Sequence, residues 1–203
     1  MKKYLTIGLL FVIALSHVNA QDGDTKHMIS AGFGAPNIPK TFFNFLSKYD
    51  NFKSKGTGPF HLKYEYKPTW VFGIGANLNY MKYQVSFVNE VLDTVKGVQV
   101  PNNVSIDCWN AALNIRANIH FIKPDDEQKS DVYFGMGLGY RFGKFRVSSD
   151  YEDQTPSFKL PSLFKMGFET TLGYRYLFTK NLGAYVELGA AKSIIQFGIT
   201  GAF

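Results

Sequence analysis

The chain contains a single cysteine, Cys108, so no intramolecular disulfide can form and a thiolate-cluster metal site is excluded. A disulfide-stapled secreted scaffold is excluded with it. Beyond the first 20 residues, no apolar stretch approaches the roughly 20 residues that a membrane helix needs. Positive charge is not concentrated either: Lys63, Arg116, Arg141, Lys165 and Arg175 are scattered, whereas a nucleic-acid surface needs a basic stripe. HExxH, EF-hand and GxSxG patterns do not occur. The run Gly135-Met136-Gly137-Leu138-Gly139 repeats glycine at a spacing of two with no helix pattern after it. That suits one face of a strand and not a nucleotide loop.

What is present begins with Lys2 and Lys3, an apolar run from Tyr4 to Leu15 and a small-residue site at Val18-Asn19-Ala20. This is the layout of a secretory signal peptide over residues 1–20, with Gln21 expected as the mature start and 21–203 as one domain. Loss of Lys2 and Lys3 takes the formal net charge from +6 to +4, too mild to make a case for nucleic acid. No cysteine stands next to the expected cleavage site, which argues against a lipoprotein anchor. A 16% aromatic content and 19 glycines, with few helix-like windows, point to β structure.

Alternation at a period of two then runs through the chain. Apolar faces are read at 29–33, 60–66, 70–80, 109–121, 132–142, 164–178, 182–190 and 195–203, which makes eight expected strands. Long connections are expected at 35–57, 85–104 and 148–161, with short reversals at Pro68-Thr69, Thr179-Lys180-Asn181 and Lys192-Ser193. The charged segment Lys123–Asp131 reads as a solvent-exposed turn. Long loops and short turns fall mostly at opposite ends, as in an up-and-down meander. Within 35–57, Phe42, Phe45, Leu46 and Tyr49 have the spacing of a short amphipathic helix.

The second face of these strands decides the environment. It consists of Gly, Ala and Asn with isolated charges, whereas a soluble barrel would present a dense Lys, Glu and Thr surface. Glycine on an exposed strand face gains nothing and costs entropy, but it fits the crowded interior of a narrow barrel. Lys63, Glu65, Arg116, Arg141, Lys165, Glu169, Arg175 and Glu187 carry both signs on that face, and they are expected to form a charge network across the lumen. Unpaired, they would be costly. Aromatics such as Trp70, Phe72, Tyr80, Phe121, Phe134 and Phe178 cluster near strand ends, as in interfacial girdles. The expected fold is an all-β, eight-stranded antiparallel up-and-down transmembrane β-barrel.

With its signal peptide, eight alternating strands and final Ile199-Thr200-Gly201-Ala202-Phe203, the chain resembles the small outer-membrane barrels of Gram-negative bacteria. That group includes the OmpX-like, OmpA-transmembrane-like and Bacteroidetes-type outer-membrane barrel families. The resemblance spans about Lys26 to Phe203. It implies an outer-membrane location, both termini in the periplasm, long loops outside, and Phe203 as the signal read by the barrel assembly machinery. The expected partners are that machinery and outer-membrane lipids, with no nucleic acid and no cofactor, and the expected state is a monomer.

Some small barrels act on lipid A, so the histidines require a reading. His61 is expected near the outer rim, where Ser47, Asp50, Asp107 or Ser149 would have to approach it to build a nucleophile-base group. His27 faces outward while Ser30 faces inward, so the two do not pair. His120, near the periplasmic end of the lumen, reads as a partner for a carboxylate. Phe42, Phe43, Phe45, Tyr49 and Phe52 form an aromatic knot that is a candidate for loop interaction or for packing over the barrel mouth. The leading expectation is a non-enzymatic barrel supporting envelope integrity or surface interaction. A lipid A acyltransferase or deacylase is the alternative, and a secreted lipocalin-like carrier comes after it.

Overall fold

A computed structural model of the chain describes residues 26–36, 50–93, 98–122, 129–150 and 165–203. Eight strands occur in them: β1 (His27–Ala35), β2 (Asp50–Tyr66), β3 (Phe72–Asp93), β4 (Val98–His120), β5 (Ser130–Ser149), β6 (Met166–Leu177), β7 (Leu182–Ala190) and β8 (Ile195–Ala202). Each pairs antiparallel with the next, and β1 pairs with β8 through Ala31 opposite Ile199 and Phe33 opposite Phe197. The sheet is a closed barrel. The expected leader at 1–20, the residues Phe42, Phe43, Phe45 and Tyr49, and most of the connection at 148–161 lie outside the described residues.

The barrel is inside out. Ile115 on its outer surface is 71% exposed, whereas Glu169 and Glu187 within it are 1% exposed. Phe60, Leu62, Ile74, Leu78, Leu113, Leu138, Phe168 and Leu188 also face outward and are exposed. In water such a surface would forfeit the hydrophobic stabilisation that folding needs. Against hydrocarbon it fits, and a closed barrel leaves no unpaired backbone edge in the lipid. The chain is an outer-membrane-type barrel. Trp70, Phe72, Phe121 and Phe178, all exposed, ring the short-turn end.

Several boundaries differ from the sequence expectation. Residues 50–57 and most of 85–104 are not loops: β2 begins at Asp50, and β3 and β4 continue to Asp93 and from Val98. Alternation does not decay there; its polarity reverses. Met81, Tyr83, Val85, Ile106 and Cys108 now point inward as a buried apolar cluster, with Phe52, Phe87, Phe145 and Val147 packed against it. Lys82, Gln84, Lys144 and Arg146 point outward and are exposed. Similarly, β5 runs through Ser149. Asp131 differs as well: it belongs to β5 and is buried, because a lumen carboxylate at a strand end looks locally like part of a charged turn.

Strands β2 to β5 therefore extend beyond the lipid-facing band as a sheet with an ordinary water-soluble polarity. The changeover on β2 is marked by a register shift between Thr57 and Phe60. Gly58 there has φ 84°, a conformation that side-chain-bearing residues rarely adopt. The bulge keeps both Thr57 and Phe60 on the outer face despite their odd spacing.

Candidate functional site: the filled lumen and the outer sheet

Lumen side chains form layers across the barrel. Nearest the short turns, Arg175 donates to Glu65 Oε2 at 2.8 Å and to Asp131 Oδ2 at 3.0 Å. The two ring nitrogens of His120 lie 2.8 Å from Glu65 Oε1 and from Asp131 Oδ1, and Lys67 Nζ is 3.8 Å from Asp131. This cluster joins β2, β4, β5 and β6. It also accounts for the carboxylate partner expected for His120.

The middle layer centres on Glu187 of β7. Arg116 grips it with two donors at 3.0 and 3.1 Å, Lys63 Nζ lies 2.7 Å from Oε2, and the Tyr133 hydroxyl donates at 2.8 Å. Arg116 also approaches Glu169 at 3.4 Å and donates to Asn118 and Thr171 at 2.7 and 2.8 Å. Glu169 accepts from Asn77 and Asn114. The Tyr133 ring separates the two guanidinium groups, 4.8 Å from Arg175 and 5.9 Å from Arg116. Paired and hydrogen-bonded in this way, the charges avoid the penalty that isolated buried ions would carry.

Glycine makes this crowding possible. A Cβ at Gly135 would collide with the Arg116 guanidinium, and one at Gly173 would collide with the Tyr133 ring. The space left among Lys63, Glu65, Arg116, Arg175 and Glu187 is about 10 Å³, room for one water at most. The lumen is a plug of side chains.

Of the eight charged residues expected in the lumen, Lys63, Glu65, Arg116, Glu169, Arg175 and Glu187 come together. Arg141 is half-buried nearer the outer end, with its Nε unpartnered among the described residues, and Lys165 is exposed just ahead of β6. Asp131, Lys67 and Tyr133 belong to the network although the sequence did not single them out. Tyr133 was legible from its parity opposite Val132; Asp131 and Lys67 sit at strand ends, where parity is ambiguous.

At the outer end the β7–β8 turn folds Lys192 and Ser193 inward, where both are buried. Lys192 Nζ approaches the backbone carbonyls of Asn79 and Asn110 at 3.4 and 3.3 Å. The turn lies beyond the ends of both strands. Burial, with Arg141 adding repulsion, pushes the Lys192 ammonium down to about 7. His61 is buried and its two ring nitrogens have no hydrogen-bond partner among the described residues. Ser193 Oγ and His61 Nε2 both approach Gly34 without bonding to each other. Asp107 is on the outer face of β4, Ser149 donates to Asn102, and Ser47 and the Asp50 side chain lie outside the described residues.

On the extended sheet, pairing aligns outward side chains in rows across four strands: Thr57–Lys82–Trp109–Lys144, Lys55–Gln84–Asp107–Arg146, and Lys53–Ser86–Ser105–Ser148. Near the tip a cavity of about 490 Å³ is lined by Lys53, Ser86, Asn103, Ser105, Ser148 and Asp150, among others. Asn103 donates to Asp150 at 2.8 Å. Hydroxyls, amides and single charges of both signs make this a surface suited to polar contacts.

No protein-family model matches the chain, and no curated protein matches it. Among solved structures, the chain is similar to the crystal structure of Ail, the attachment invasion locus protein of Yersinia pestis. The match has 11% identity and covers 89% of this chain and 99% of that one, with a TM-score of 0.37. A second structure of Ail, in complex with the heparin analogue sucrose octasulfate, matches at 11% identity over 87% of this chain and 97% of that one, with a TM-score of 0.27. The barrel assignment stands on the chain's own closed strand order and inverted polarity.

Proposed function

We propose that this chain is a non-enzymatic outer-membrane barrel whose plugged body is a rigid anchor and whose outer sheet, β2 to β5, makes contacts at the cell surface. The observation that carries the reading is the continuation of four strands past the lipid band, with an apolar inner face holding them together and a polar outer face left free. A barrel serving only as an anchor needs no such extension. The filled lumen supports a role other than diffusion. Outer-membrane lipids surround the band in this reading, the assembly machinery engages the last strand and Phe203, and the barrel acts as a monomer.

The test is to replace residues 86–105, the outer part of the β3–β4 hairpin, with a short turn. The expected result is a barrel that still shows heat-modifiable gel migration while cells expressing it lose surface attachment or envelope resistance relative to wild type. Unchanged attachment and resistance would remove the surface-contact reading. Lipid A mass spectrometry of a deletion strain separates the enzymatic alternative, because an altered acyl pattern contradicts a non-enzymatic role.

A further inference from the structure

We infer that the outer end of the lumen is a binding site for a small inorganic anion of halide size, held by Lys192, Arg141 and Ser193. In the deeper layers every cation has a carboxylate. The four buried carboxylates, Glu65, Asp131, Glu169 and Glu187, are all engaged there by Lys63, Lys67, Arg116, His120 and Arg175. Above them the balance changes. Lys192 is buried against nothing more polar than the carbonyls of Asn79 and Asn110, at 3.4 and 3.3 Å. Arg141 Nε is buried and has no partner among the described residues, and its charge is near enough to repel the Lys192 ammonium. Among the described residues no carboxylate contacts either cation.

Orphaned donors gather beside them. A Cβ on Gly34 would collide with Ser193 Oγ and stand 3.0 Å from His61 Nε2, and one on Gly32 would collide with the Tyr185 hydroxyl. Gly34 pairs with Gln196 and Gly32 with His61, so these four side chains share one wall. Gln196 Oε1 accepts from Lys63 at 2.8 Å, which fixes its Nε2 as a donor. That Nε2, Ser193 Oγ, the Tyr185 hydroxyl and both His61 ring nitrogens have no partner among the described residues. The row continues from His61 through Asn79 and Ala112 to Arg141, and Lys192 crosses to that far wall from the turn it shares with Ser193. Asn79 and Asn110 leave amide oxygens unbonded there among the described residues; either amide, turned over, presents its NH2 instead.

Buried polar groups almost always find partners. Water would satisfy the hydroxyls and amides but leave two positive charges without a counter-charge. An anion satisfies both, through charge-assisted bonds from the ammonium and guanidinium. Crowding at Gly32 and Gly34 selects a small ion over an organic acid, and half-buried Arg141 gives it a path from outside. Bound there, it ties the β7–β8 turn to β3 and β5.

Chloride NMR of the chain refolded in maltoside micelles tests the site, at about pH 6 where the Lys192 ammonium is charged. Folding is scored by heat-modifiable migration. Folded wild type is expected to broaden the chloride line saturably, with bromide reversing the effect. Lys192→Gln and Arg141→Gln each lose a charged donor and are expected to bind at least about tenfold more weakly, and Ser193→Ala about threefold. Lys144→Gln removes the same charge from the outer face and is expected to bind as wild type does. Absence of saturable broadening by folded wild type overturns the site. So does equal weakening in Lys144→Gln and Arg141→Gln, since net charge alone then draws the ion. Where Lys192→Gln yields no heat-modifiable form, Arg141→Gln and Ser193→Ala decide, and unchanged binding in both overturns the site.

Discussion

His27 and Phe203 close the barrel as a matched pair: each backbone N–H donates to the other's carbonyl at 2.9 Å, and their rings stack with centroids 5.7 Å apart at 14°. Tyr64 joins from the next strand, its hydroxyl 2.9 Å from His27 Nδ1. The side chain of Phe203 therefore fastens the seam between the first and last strands. Phe203→Ala keeps the backbone bonds and is expected to cost about 1 kcal/mol, as for a lost aromatic pair. Urea unfolding in lipid vesicles measures it, and an unchanged midpoint would mean that the ring contributes nothing to the seam.

Arg116 and Glu187 provide a sharper energetic test. Removing one member of a buried pair leaves the other charge uncompensated, typically costing about 3–5 kcal/mol, while replacing both with apolar groups is far cheaper. Arg116→Met is expected to be strongly destabilising, and Arg116→Met with Glu187→Gln less so than the two single changes added together. Lys63 also rests on Glu187 at 2.7 Å, so Glu187→Gln is expected to be the worse single change. Additive effects in a double-mutant cycle would contradict the coupling.

The side-chain plug predicts electrical silence. With about 10 Å³ left in the middle of the lumen, the protein in a planar bilayer is expected to show no stable conductance step. A reproducible open level in wild type would require the Arg116–Glu187 layer to rearrange.

The fold was legible wherever lipid and lumen impose opposite polarities on alternate residues. Trp109 to Phe121 announces itself because Leu113, Ile115 and Ile119 need hydrocarbon while Asn114, Arg116 and Asn118 need partners. The same rule hid residues 81–87 and 104–108, since beyond the lipid the apolar side turns inward and a reader tracking one face sees the pattern fail. Side-chain pairing was not legible at all. Whether Glu187 meets Arg116 depends on strands 71 residues apart in sequence and on a register that only closure fixes. Arg141 shows the consequence: it has the parity of the network but lies above the carboxylates.

Lys192 gives the outer end a pH signature. Its folded-state value of about 7 lies below the ordinary 10.5, so between those values the unfolded chain holds a proton that the folded chain has released. Stability from this residue therefore rises as pH increases from about 7 to 10.5. Below about 7 the full penalty of burying the ammonium is present. Lys192→Met is expected to abolish that rise, which shows as a wild-type-minus-variant difference in unfolding free energy that shrinks with increasing pH. A pH-independent difference would mean that the lysine reaches water.

Val85 tests whether the sheet above the membrane is a folding unit in its own right. It is 0% exposed, at the centre of the cluster with Met81, Tyr83, Ile106 and Cys108, whereas its neighbour Ser86 faces outward. Val85→Asp places a charge in that cluster and is expected to cost several kcal/mol, while Ser86→Asp is expected to change stability by less than about 0.5 kcal/mol. The Arg116–Glu187 layer of the lumen is built from other residues. The barrel should therefore keep its heat-modifiable migration in Val85→Asp while protease clips the sheet between about 81 and 108. Equal protease resistance of the two variants would show that the inner apolar face does not hold the extension together, and loss of migration in Val85→Asp would show that sheet and barrel unfold as one.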